Sequence, residues 1–195
     1  IREINNFNQD LAIVTITKNP YSFLLSLFEK PYHSRRQQTQ DFRTFLHSVW
    51  PTYLLENHSK HTFQNPVELW NLKNKSYLQL ADQTDWPVIN LKYEDLLKNP
   101  SNTISQIAAK TGLDRRSEFT NIIESTKDSP QKFADYQDYY LNERWREKLQ
   151  GDEIEMINDE VTELVKKMLD EPIATCNQTG LAPFYAANKL PAVRF

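Results

Sequence analysis

The 195-residue chain has one cysteine, three glycines and no apolar run long enough to cross a membrane. The single cysteine, Cys176, excludes an intramolecular disulfide and a four-cysteine zinc site, and it favours a reducing, cytoplasmic setting. Excess positive charge is absent too: a net charge of −3 leaves no electrostatic footprint of a nucleic-acid binder. The glycines, Gly112, Gly151 and Gly180, follow a helix pattern, precede one and fall in an irregular tail. None opens a phosphate-cradling loop. No signal-peptide pattern is present, and the chain opens on Ile1 rather than Met.

The remaining composition is that of a globular domain with a sizeable core, at 39% hydrophobic and 25% charged residues. Asn57, Asn74 and Asn177 each begin an Asn-x-Ser/Thr acceptor pattern, a match that chance supplies in a chain this rich in Asn, Ser and Thr. Residues 11–17, LAIVTIT, read as a short, β-branched, buried strand. Asn19-Pro20 then supplies an N-cap and a first-turn proline for a helix over 20–29, with Phe23, Leu24, Leu27 and Phe28 on one face. A locally basic segment, KPYHSRR, breaks it. The pattern predicts a second helix over 39–50, bent at Pro51, and a long one over 65–84 that again opens on Asn-Pro. WPVINLKY, 86–93, reads as the second strand, followed by a turn at EDLLKNP and a helix over 101–111 that Gly112 stops. Further helices are expected at 115–125, 138–149 and 152–169. Two strands separated by helical segments indicate an α/β layer fold with a parallel sheet. Two strands alone make no stable open sheet, so part of it is expected elsewhere.

The chemistry centres on the junction of the first strand and helix. A helix N-terminus there offers N–H groups and a partial positive charge to an anion. Lys18 adds a full charge, while Ser22 and Ser26 lie four apart on one helical flank. From spacing alone, a solvent-facing lysine beside a polar helix face is the simpler reading.

The wider pattern goes further. Lys-Asn-Pro-Tyr-x-x-x-x-Ser after a strand resembles the 3′-phosphate-binding segment of the sulfotransferases, which usually place Arg where this chain has Lys18 and a Ser eight residues on, as Ser26 is here. LKYEDLLKNPSNTISQIAAKTGL, 91–113, resembles the family's second landmark of strand, Tyr-Glu-Asp-Leu, Asn-Pro and helix. The likeness covers residues 11–113, and KFADYQDYYLNERWREKL, 132–149, is more loosely similar to C-terminal segments of bacterial members.

The resemblance implies a helix-rich, three-layer, P-loop-like α/β fold with a parallel sheet, and a sulfotransferase-like domain over 1–171 followed by an irregular tail at 172–195. It implies 3′-phosphoadenosine 5′-phosphosulfate (PAPS) as co-substrate, no metal, and transfer of the sulfuryl group to an acceptor hydroxyl or amine. Lys18 would neutralise the 3′-phosphate and Ser26 would hydrogen-bond it, with Lys in place of Arg losing the bidentate fork. Tyr93 stands where the family places a residue near the nucleoside; a core tyrosine reads equally well. Glu94 and Asp95 are adjacent in sequence and point apart, so they make no acid/base pair.

Phe133, Tyr136, Tyr139, Tyr140 and Trp145 could stack an adenine, although aromatics at helical spacing are more often core. His33 is the histidine best placed to meet acceptor or phosphate; His47, His58 and His61 have no metal-ligand spacing. The helices at 39–56 and 65–84 are the candidates for an acceptor wall. The family's glycine loop for the 5′-phosphosulfate and its catalytic base are not visible, Glu3 being the one upstream candidate by type. On the sulfotransferase reading that loop is expected upstream of Ile1; on the module reading below it is absent. Two other readings stand beside the sulfotransferase: a non-catalytic sulfotransferase-like nucleotide-binding or interaction module, and a P-loop kinase-like enzyme. A 3′-phosphate site has no use in the latter.

Overall fold

In the computed structural model, residues 11–31, 41–51, 62–114 and 132–163, with residue 166, are described. The readings for Glu3, His33, His58, His61, Asn57, Cys176, Asn177, the 115–125 helix and the 172–195 tail lie outside them.

The chain runs β1 (Ile13–Thr17), α1 (Pro20–Glu29), α2 (Phe42–Leu46), β2 (Trp50–Pro51), β3 (Thr62–Phe63), α3 (Pro66–Gln79), a 3-10 turn at 80–82, β4 (Val88–Lys92), α4 (Tyr93–Lys98), α5 (Pro100–Thr111), α6 (Phe133–Leu141), a second 3-10 turn at 144–147 and α7 (Gly151–Glu160). The architecture is α/β and helix-rich, with β1 and β4 paired in parallel. Among the described residues these two strands are the whole of that sheet, and β2 and β3 form a separate antiparallel pair.

One local device starts three helices. Asn19, Asn65 and Asn99 each precede a proline, and each side chain accepts the amide three residues on, from Ser22, Glu68 and Asn102. The asparagine satisfies an otherwise orphaned first-turn amide, while proline sets φ at a position whose N–H is not needed. Gly112 closes α5 in the left-handed region at φ 70°.

The core lies among α1, α2, α3 and α7. Leu24, Phe45, Trp50, Phe63, Trp70, Trp145 and Ile157 are all essentially sealed from solvent there. Val88, Ile89, Leu91 and Leu97 are buried separately, along β4 and α4.

The structure corrects several expectations. β1 is not buried on both faces: Thr15 and Thr17 are buried, while Val14 and Ile16 are 40% and 50% exposed. The register sets Val14 and Ile16 beside Ile89 and Leu91, and Thr15 and Thr17 beside Asn90 and Lys92. The threonines are sheltered because their hydroxyls have partners, Thr15 donating to Asn90 and Thr17 to Asn74.

The helix expected to reach Trp50 ends at Leu46, and Trp50–Pro51 extends to pair with Thr62–Phe63, which buries Trp50 edge-on to Phe45. The expected turn after β4 is helical, α4. The expected 138–149 helix begins at Phe133 and ends at Leu141, and Glu143, with φ 50°, separates it from the 3-10 turn that follows. Finally, α7 stops at Glu160. Asn71 of α3 donates to the Glu160 carbonyl and accepts the Thr162 amide, which supplies the helix end with a side-chain partner.

Candidate functional site

The turn between β1 and α1 is held from two sides. Asn19, besides capping α1, donates its backbone and side-chain N–H groups to one oxygen of Glu94 on α4, at 3.0 and 2.7 Å. Trp70 of α3 donates its indole N–H to the Lys18 carbonyl at 3.3 Å. Thr17 donates to Asn74 of the same helix at 2.5 Å, and Asn74 donates onward to the Trp70 carbonyl at 2.8 Å. The second strand's helix and the long helix between the strands therefore both fasten the end of β1. Glu94 acts as a structural clamp, and Asp95 pairs with Lys92 at 3.7 Å.

This clamp fixes where Lys18 points. Its ammonium donates to Ser26 Oγ at 2.8 Å and lies 3.4 Å from the Tyr140 hydroxyl, 5.5 Å from the centre of that ring. Ser26 donates its own proton to the Ser22 carbonyl at 2.9 Å. A phosphate oxygen at this pair would meet the Lys18 charge, and would receive a hydrogen bond from Ser26 once that hydroxyl rotates. The α1 amides contribute less than the sequence suggests. Pro20 has no N–H, the Asn19 amide is taken by Glu94, the Ser22 amide by the Asn19 cap and the Phe23 amide by the Asn19 carbonyl.

Beside this turn opens a cleft of about 330 Å³, within the lower range of small-molecule sites. Lys18, Phe23 and Tyr93 line it, together with Tyr140 of α6. Tyr93 and Tyr140 meet edge-to-face with centroids 4.8 Å apart. Burial pushes the hydroxyls of both above the ordinary phenol range, and in Tyr140 the nearby Tyr93 and Tyr139 add to it. Both phenols are therefore neutral donors at physiological pH.

The three nucleotide-site residues expected from sequence thus converge: Lys18 and Ser26 touch, and Tyr93 lines the same cleft. The 133–145 aromatics divide. Tyr140 faces the cleft, whereas Trp145 is core, stacked on Tyr21 at 4.0 Å and with the Arg146 guanidinium 4.4 Å from the centre of its ring. His47 is exposed at the end of α2 and does not line this cleft. Asn74, one of the glycosylation matches, is 3% exposed, with its side-chain oxygen accepting from Thr17 and its nitrogen donating to the Trp70 carbonyl, so the folded chain does not present it as a glycan acceptor.

The opposite side comes from α3, which lies within the 65–84 helix expected as a candidate acceptor wall, although sequence does not single out its lining residues for a site. Trp70, Lys73, Asn74 and Tyr77 form a stripe at spacings of three and four along that helix, and all four line the cleft. The one available signal was that Trp, Lys, Asn and Tyr stand where an amphipathic helix would place aliphatic residues. Among the described residues no group of histidine, cysteine and carboxylate side chains is arranged to hold a metal, and no helix is long and apolar enough to cross a membrane. Comparison with family models, curated proteins and solved structures returned no match to this chain.

Proposed function

We propose that the chain belongs to a PAPS-dependent sulfotransferase and that this cleft receives the nucleotide. The observation that carries the reading is the contact of Lys18 with Ser26 at the end of a parallel strand, eight residues apart in sequence and 2.8 Å apart in space. A 3′-phosphate seated on that pair is neutralised by Lys18 and hydrogen-bonded by Ser26. Tyr93 and Tyr140 bound the neighbouring space with ring edges and faces suited to a purine.

In the proposed reaction the acceptor oxygen or nitrogen attacks sulfur in line, and the bond from sulfur to the 5′-phosphate oxygen breaks. The acceptor proton passes to a general base. The products are the sulfated acceptor and 3′-phosphoadenosine 5′-phosphate. Residues of this chain act by positioning and by electrostatic stabilisation of charge on the nucleotide. The acceptor is a hydroxyl or amine of a small molecule or carbohydrate.

A second reading has its own support. The lining of the cleft contains no histidine or carboxylate among the described residues, which suits a nucleotide-binding or interaction module without transfer chemistry. Calorimetric titration with 3′-phosphoadenosine 5′-phosphate, using 5′-AMP as control, tests what the two readings share. Binding selective for the 3′-phosphate, lost in the Lys18→Ala, Ser26→Ala double variant, is expected; equal binding of 5′-AMP would overturn both. Release of 3′-phosphoadenosine 5′-phosphate from PAPS, dependent on an added hydroxyl or amine acceptor, separates enzyme from module.

A further inference from the structure

The α3 stripe contains two kinds of residue. Trp70 and Asn74 are buried, and their polar atoms are spent on Lys18, Thr17 and the helix itself. They are fasteners. Lys73 and Tyr77 are partly exposed and line the cleft. Among the described residues the Lys73 ammonium has no carboxylate partner, and the cleft lining contains none to offer. The lining therefore carries two lysines and no acidic group, in a protein whose net charge is −3. Two cations lining one partly sheltered cleft raise its local positive potential, and that arrangement favours an anionic ligand.

The two cations come from different elements, Lys18 from the β1–α1 turn and Lys73 from the middle of α3, with Tyr93 and Tyr140 in the same lining. A ligand that satisfies this set carries an aromatic or sugar body and two separate anionic groups. We infer that Lys73 is a second anion-binding residue of the cleft, which holds the anionic group at the 5′ end of a nucleotide whose 3′-phosphate lies on Lys18. This rests on the nucleotide reading above and deepens it. It assigns the 5′ end to a side chain of this chain, independently of any glycine loop.

The experiment is calorimetry on the full chain with three probes: 3′-phosphoadenosine 5′-phosphate, 3′-AMP and 5′-AMP. Wild type is compared with Lys73→Met, which keeps the apolar stem, with Lys73→Arg, which keeps the charge, and with Lys18→Ala. Circular dichroism and the thermal midpoint establish that each variant is folded. Loss of one charge-assisted contact predicts that Lys73→Met weakens the bisphosphate and 5′-AMP by about tenfold or more, while 3′-AMP stays within about twofold. Lys73→Arg should retain most of the affinity. Lys18→Ala should weaken the bisphosphate and 3′-AMP and spare 5′-AMP.

Bisphosphate binding unchanged in folded Lys73→Met overturns the assignment of Lys73 and leaves the nucleotide reading intact. Equal weakening of all three probes also overturns it, because a general field effect would then replace a contact at one end. If Lys73→Met does not fold, Lys73→Arg carries the decision, and selective loss of 3′-AMP affinity in it would refute a role at the 5′ end. Absence of binding by wild type to every probe refutes the nucleotide reading and this inference together.

Discussion

The bond between Thr17 and Asn74 ties the end of β1 to α3 one residue before Lys18, and a double-mutant cycle measures what it contributes. Thr17 is 5% exposed and Asn74 3% exposed, so water does not replace either partner. Thr17→Val keeps the shape and removes the donor, which leaves the Asn74 carbonyl oxygen buried and without its 2.5 Å partner. Asn74→Leu leaves the Thr17 hydroxyl orphaned in the same way. Each single change should cost about 1–3 kcal/mol, the desolvation penalty of a polar group left unsatisfied. Replacing both removes the unsatisfied atoms together, so the double variant should be far less unstable than the two costs added. A coupling of about 1–2 kcal/mol is expected, within the range for residues in direct contact. Urea denaturation of the four proteins reads it from midpoints at constant slope. Additivity to within about 0.5 kcal/mol would show that the bond is incidental and that α3 is positioned by packing alone.

Asn65→Ala removes the cap of α3 and should cost about 1 kcal/mol in urea denaturation, with Asn65→Gly costing less; equal stability of alanine variant and wild type would contradict the capping account. Buried phenols predict a decline of stability at alkaline pH. Tyr93 and Tyr140 keep their protons above the value of about 10 at which unfolded tyrosine ionises, so the unfolded chain releases protons first and stability falls as pH rises past that point. Tyr140→Phe should flatten the decline between about pH 9 and 11, and an unchanged slope would refute it. On the sheet, Ile89→Ala should cost about 2–5 kcal/mol and Ile16→Ala, at a residue half exposed, distinctly less; comparable losses would mean that β1 is as covered as β4.

The helix starts were the most legible part of the fold because they are set by one or two residues. Asn-Pro at 19–20, 65–66 and 99–100 fixes a cap and a φ angle locally, and Gly112 marks the end of α5 by the same kind of local constraint. The misread elements were decided at a distance. Phe42, Phe45, Leu46 and Val49 repeat at helical spacing, yet Trp50 leaves the helix because it pairs with Phe63 and packs on Phe45. The end of α7 is fixed by Asn71, about ninety positions earlier. The alternation in β1 was legible in principle, since Val14 and Ile16 alternate with Thr15 and Thr17. Hydrophobicity assigns the inward face to the wrong pair, because the hydroxyls acquire Asn90 and Asn74 as partners only when the chain folds.

The candidate site divides along the same line. Lys18 and Ser26 are eight residues apart, on a turn and the first two turns of one helix, so sequence spacing alone nearly fixes their separation. Tyr93 follows because β4 pairs with β1 in parallel, which brings the C-terminal ends of both strands to the same edge. Lys73 and Tyr77 follow from no such rule. Their placement depends on which face α3 turns toward the strand end, and the two bonds from Trp70 and Asn74 set that rotation. A helix fastened through its buried tryptophan and asparagine must present the residues one turn further along to the same side. The contacts that stabilise α3 against β1 are thereby the ones that bring a second lysine to the cleft, and a change at Asn74 should displace Lys73 along with the helix face it shares.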